Sequence, residues 1–229
     1  MCTVVVRWAP GAAVELLALR DERVGRAFDD PGAWWPEQPH VVGGRDRLAG
    51  GTWCATDVAR GTTALVLNRS ERPLAVPGAP SRGVLPLVAL AHGEAWAEHV
   101  DVTGMAGFTL VLAAPSGVVH WAWDGTTLVE GRLAPGTAMF TAGPQEQGRS
   151  ARHLPSFAAA EGAAAWQALV AAAVPGDDPA DLLVQHRHGD AVFATVFAQV
   201  LVVEPGRLAL RSSRTPSDPA SWTAGAHRA

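Results

Sequence analysis

The sequence predicts an α+β fold in which two mostly antiparallel sheets pack face to face, with helices on the outside. Three observations lead there. Short β-branched and apolar runs come in pairs separated by tight-turn signals. The element order is strands, one helix, more strands, helices, then strands. Strict βα alternation and a GxGxxG loop are both missing, which removes a dinucleotide-binding fold. With 229 residues, 48% of them hydrophobic, the chain can bury one large core. We place a single domain at 1–212 and a flexible Ser/Thr/Pro-rich tail at 213–229.

Residues 2–9 alternate and are β-branched, as a strand requires. "APGAA" carries a Pro-Gly turn, and 14–19 reads as the returning strand. Equal strand lengths about that turn set Cys2 across from Arg20, Asp21 and Glu22. Residues 31–52, with "WWPEQP", "VGGRD" and "AGGTW", read as a long functional loop. Strands are expected at 53–56 and 63–69 about "DVARG". A helix is expected in 83–100, starting near Pro86. A hairpin at 108–113 and 118–123 crosses "APSG", and a strand follows at 128–132. Residues 156–174 are alanine-rich and helical apart from Gly162. Residues 177–186 are expected to add a helical turn or two, capped by Asp177 or Asp178. A long apolar strand or strand pair at 192–203 is followed by another at 207–212.

Composition narrows the function. A net charge of −4 offers no basic field, so nucleic acid is not an expected partner. The apolar run after Met1 is cut by Arg7, and no uncharged run spans a bilayer, so neither a leader nor integral membrane insertion is expected. Two cysteines far apart make neither a disulfide framework nor a zinc site, so a cytoplasmic, reducing setting is expected. All 18 basic residues are arginine, and Asn68 is the single asparagine. That bias follows from a GC-rich coding sequence, and it makes Asn68 noteworthy. His186 and His188 could meet on one strand face and bind a metal, but no third ligand is near and a polar loop serves equally; no metal is expected. Cys54 lies in an apolar strand and reads as a core thiol.

Cys2 carries the sharper hypothesis. If Met1 is removed, its thiol and a free α-amine share one residue. The amine, with an ordinary pKa of about 7.7–8.0, can take the thiol proton directly or through one water. Acyl transfer then needs charges that position the reactants and donors for an oxyanion. Arg20 can favour the thiolate, Asp21 can orient the ammonium, and the Asn68 amide can donate to the oxyanion. The plainer readings are a small strand residue, a solvated turn and a strand-end cap.

The ordered series "MCTVVV", "LALRDERVGRAFDDPGAWWPEQPHVVGGRDRLAGGTWCA", "TALVLNR" and "SRG" resembles the NRDE, or transport-and-Golgi-organisation, family. That resemblance implies a four-layer αββα sandwich of the N-terminal-nucleophile hydrolase type, distantly similar to choloylglycine-type amidases. By it, Cys2, Arg20, Asp21 and Asn68 are catalytic, with Glu22 as an alternative to Asp21. Glu22, Arg45, Trp53 and Arg82 are expected to bind a small amide or acyl substrate. No cofactor is required. The chain departs from the family at Leu19, where the family has asparagine, at Thr141 and Ala142 in place of Ser-Asn, and at Val196 and Phe197 in place of Arg-Ser. The resemblance also implies another function, haem or apolar-ligand trafficking, with an apolar cleft, arginines for propionates and His40 as an axial ligand.

Overall fold

A computed structural model describes residues 2–69, 75–143 and 148–229. The strands are β1 (Thr3–Trp8), β2 (Val14–Arg23), β3 (Phe28–Gly32), β4 (Val41–Asp46), β5 (Cys54–Asp57), β6 (Thr62–Asn68), β7 (Phe108–Ala114), β8 (Gly117–Trp123), β9 (Leu128–Arg132), β10 (Gly136–Phe140), β11 (Gln185–His188), β12 (Ala191–Glu204), β13 (Arg207–Ser213) and β14 (Thr223–Arg228). The helices are α1 (Leu85–His92), α2 (Gly148–Ala159) and α3 (Gly162–Ala171). One sheet runs β10-β1-β2-β12-β13-β14, with β11 also on β12; the other runs β3 to β9 in chain order. Every strand ladder is antiparallel.

Strand periodicity builds four layers, because residues i and i+2 share a face. Val4, Val6, Leu16 and Ala18 of the first sheet meet Leu65, Leu67, Val111 and Ala113 of the second. Their neighbours point the other way. Val5, Leu17 and Leu19 pack with Phe157, Trp166 and Val170 of α2 and α3. On the far side Ala64, Val66 and Leu110 pack with Leu85, Ala89 and Leu90 of α1. The α+β sandwich of two antiparallel sheets flanked by helices is therefore observed. Arg7 ties β1 to its helices by donating to the carbonyls of Phe157 (2.8 Å) and Ala160 (2.9 Å) where α2 ends.

Several local expectations change. The stretch 31–52 is not one loop, since β4 is drawn from "VVGGRD". Its glycines mislead because they look like turn residues, whereas they serve close packing. A Cβ on Gly43 would stand 2.6 Å from the Ala55 Cβ, and one on Gly44 would stand 2.4 Å from the Trp53 ring. β10, not expected from the sequence, forms the edge beyond β1. Residues 177–186 hold no helix; the chain bends there and enters β11, held where Thr195 Oγ1 accepts from the Val184 N–H at 3.0 Å. Residues 213–229 are not a loose tail: Trp222 is buried and β14 pairs with β13 along its length. The Ala-rich stretch divides into α2 and α3 because Gly162 adopts φ +79°. Among the described residues, no helix is long and apolar enough to cross a membrane.

Candidate active site

The first hairpin builds the site. β1 and β2 pair with Thr3 opposite Leu19, and continuing that register sets Cys2 beside Arg20. The two share the face that looks between the sheets. Cys2 packs against the inner core, and Arg20 lies over the rings of Trp53 (4.5 Å) and Phe28 (5.0 Å). Phe197 closes that aromatic wall edge-on to both rings. Phe197 is thus an apolar side chain paired with Arg20 across the ladder and packed on its aromatic wall, next to an irregularity in the β2–β12 ladder between Thr195 and Phe197.

A cavity of about 270 Å³ opens beside Cys2, and Arg20, Asp21, Glu22, Trp53, Asn68 and Arg82 line it as well. Seven of the eight candidate residues are therefore brought together. Arg45 is not. It sits on β4 next to Asp46, and adjacent strand residues face opposite ways. Its side chain pairs with Asp29 at 2.7 Å and stacks on Trp34 at 4.7 Å, away from the cavity. Asp46 takes the inward position instead. It accepts from Arg20 Nη2 at 3.0 Å and Arg26 Nε at 2.6 Å.

Asp21 enters the site differently from Arg20. Its carboxylate points to the helical layer, where Oδ2 accepts from Arg149 Nη1 (2.7 Å) and Oδ1 from Thr195 Oγ1 (2.6 Å). Arg149 Nη1 also donates to Thr3 Oγ1 at 2.6 Å. Toward the sulfur, Asp21 acts through its charge, which opposes the thiolate, and through its backbone N–H, which favours it. Glu22, back on the Arg20 face, lies 3.6 Å from Arg20 Nη2. Asn68 ends β6 at the cavity's exposed side.

Arg82 arrives on a short turn whose placement explains two motifs. The Thr52 N–H donates to the Gly83 carbonyl at 2.8 Å. A Cβ on Gly51 would lie 2.3 Å from that same oxygen. "GGTW" and "SRG" thus need glycines because their backbones touch, and that contact holds Arg82 at the rim. Arg82 Nη1 donates to the Gly107 carbonyl at 2.8 Å.

Burial pushes the Cys2 thiol above its ordinary value; the charge of Asp21 adds to this, while the Asp21 N–H and Arg20 oppose it. Cys2 retains partial exposure, although enough atoms crowd its sulfur for desolvation to dominate. Cys54 is 1% exposed, and burial pushes its thiol far up, the state of an inert core cysteine.

The remaining sequence candidates lie elsewhere. Thr141 borders a separate cavity with His120 and Phe140. His40 borders another with Arg60 and Leu90. His186 and His188 sit on β11, where His186 stacks on Phe193, and no group of three or more His, Cys, Asp or Glu suited to a metal occurs among the described residues. Sequence reasoning missed Arg26, Asp46, Arg149 and Thr195. Of these, Asp46 had a signal, the "GRD" beside the chosen Arg45.

No curated protein matches this chain. The family described as Transport and Golgi organisation 2 matches residues 1–140, which include the whole cavity lining. A match over more than half of the sequence, beginning at the Met-Cys start, settles the family: the chain belongs to the Transport and Golgi organisation 2 family.

Proposed function

We propose that the chain is an N-terminal-cysteine amide hydrolase or acyl-transfer enzyme. One observation carries this reading: Cys2 borders a polar cavity that Arg20, Asn68 and Arg82 also line. The mechanism needs Met1 removed, and Met1 lies outside the described residues. The freed α-amine of Cys2 accepts the thiol proton, and the sulfur attacks the amide carbonyl carbon. A C–S bond forms, and the carbonyl electrons move onto oxygen. The Asn68 amide donates to that oxyanion. Collapse breaks the C–N bond, and the amine leaves with the proton held by the α-ammonium. Water, or another acceptor, then attacks the thioester with the α-amine again as base, releasing the acid and restoring the thiol. Arg20 and the Asp21 N–H hold the thiolate. Asp21 also fixes the strand end through Arg149 and Thr195.

Haem fits this cavity poorly. Its described lining includes no histidine and is mostly charged and polar. His40 belongs to a different cleft.

Intact mass of the purified chain, before and after a thiol-directed acylating probe, tests the proposal. The expected result is loss of Met1 and a single acyl adduct that Cys2→Ser abolishes and Cys54→Ala leaves. Retained Met1 with equal labelling of both thiols would overturn it.

A further inference from the structure

We infer that the Cys2 cavity is shaped for a small substrate that carries its own carboxylate near the reacting carbonyl, held between the guanidinium groups of Arg20 and Arg82. The inference rests on Cys2 being the nucleophile and adds what it acts on.

The first ground is an unmet donor. Arg20 is 3% exposed, and the rings of Trp53 and Phe28 lie against its guanidinium. It can therefore donate only in its own plane. Nη2 is used on Asp46, whereas the buried Nη1 has no partner among the described residues. A buried, charged N–H without an acceptor is costly to leave unmet. Its complement is a group that only accepts, and a carboxylate is the planar acceptor that suits a guanidinium edge.

The second ground is charge. Asp21 is neutralised from behind by Arg149, a buried pair. Asp46 lies between Arg20 and Arg26, and Glu22 lies 3.6–3.7 Å from the same two arginines. Two arginines thus balance two acids. Arg82 then adds a positive charge at the rim that none of these described carboxylates contacts within ion-pair distance. It lines the same cavity as Arg20 and Cys2, so an anion held between the two arginines lies in the space that Cys2 borders. A neutral amide would leave that half-buried guanidinium without a directly paired carboxylate, with only the more distant charges of Glu22 and the Cys2 thiolate acting on it.

The third ground is size. About 270 Å³ of mostly polar cavity suits a compact polar group at the reacting end of the substrate.

Two alkylating reagents of nearly equal shape test this. Iodoacetate carries a carboxylate beside its reactive carbon and iodoacetamide a neutral amide. Each forms a C–S bond and releases iodide. The measurement is the ratio of their rates at Cys2, by mass spectrometry on the folded Cys54→Ala chain. A peptide with an N-terminal cysteine is the reference. The expected ratio of iodoacetate to iodoacetamide exceeds the peptide's by about tenfold or more, the worth of one charge-assisted contact. Arg82→Gln, on a half-buried turn at the cavity rim, should return it toward the peptide's while iodoacetamide still reacts. A ratio equal to the peptide's overturns the carboxylate inference and leaves Cys2 a reactive nucleophile. A Cys2 that reacts with neither reagent until the chain is unfolded overturns the nucleophile reading, and this inference with it.

Discussion

Replacing Arg149 with methionine tests how the site is anchored. The Arg149 and Asp21 side chains are 3% and 2% exposed and meet at 2.7 Å. Methionine keeps much of the volume and removes the charge. The Asp21 carboxylate then stays buried with only Thr195 Oγ1 donating to it among its described side-chain partners, and Thr3 Oγ1 loses its donor. Breaking one half of a buried ion pair costs about 3–5 kcal/mol. Arg149 Nη2 has no partner among the described residues, which places the expectation toward the lower end. For a chain of this length, each kcal/mol moves the melting temperature by about 2–4 °C, so a drop of about 6–16 °C follows for a cost of about 3–4 kcal/mol. Adding Asp21→Asn to Arg149→Met should recover part of that loss, because no buried charge is left uncompensated. Thermal unfolding by circular dichroism on all four members of the cycle measures this. A drop under about 2 °C for the single variant, with no coupling in the double, would refute the buried pair as the anchor of the β2 end.

Three further outcomes are expected. Cys2 alkylation should titrate at lower pH in chain that has lost Met1 than in chain that keeps it: an amino-terminal ammonium already opposes the upward push of burial, and processing moves that ammonium onto Cys2 itself, closer to the sulfur; rate-against-pH profiles of the two forms, separated by mass, show this. Burial works against ionisation of Asp46, yet hydrogen bonds from Arg26 and the Ala49 N–H and the charge of Arg20 hold its carboxyl below the usual range. Its stabilisation is therefore complete above the unfolded value of about 3.9 and lost as pH falls through the lower folded value, so Asp46→Asn should destabilise at pH 7 and converge with the parent in acid, read from urea midpoints across pH. Gly43→Ala places a methyl 2.6 Å from both the Ala55 Cβ and the Cys54 carbonyl oxygen, and should cost about 1–3 kcal/mol in the same assay.

The parts of the site legible in the sequence are those fixed by local rules. A Pro-Gly turn between two β-branched runs sets a register, and the register sets Cys2 across from Arg20. Asn68 was legible as the polar end of an apolar strand. Arg45 was misplaced because "VVGGRD" was read as loop. Without a strand there is no alternation, and so no ground for preferring the inward Asp46 over the outward Arg45. Arg149 was not legible at all. It is 128 residues from Asp21 and reaches it only because α2 docks on the outer face of the first sheet. The helix expected over 177–186 failed for a related reason: a cap residue and moderate propensity cannot outweigh β-pairing that only the finished sheet provides. β14 shows the same at the chain's end, where its Ser/Thr/Pro-rich approach disguised a paired edge.

The alternation of β2 explains why one strand end can serve both stability and chemistry. Arg20 faces inward, braced by Phe28, Trp53 and Phe197, so its orientation depends on packing between the two sheets. Asp21 faces outward and is fixed by Arg149 and Thr195, so its position depends on how α2 docks. Its backbone N–H also favours the Cys2 thiolate. Two independent cores therefore fix the two residues that bear on the cysteine, one core for each. It follows that changes at Phe197 should disturb Arg20 without touching the Asp21 anchor, and changes at Thr195 the reverse. The apolar residue at 197 is then no sign of a dismantled site, because in this chain it forms the wall against which the buried arginine is held.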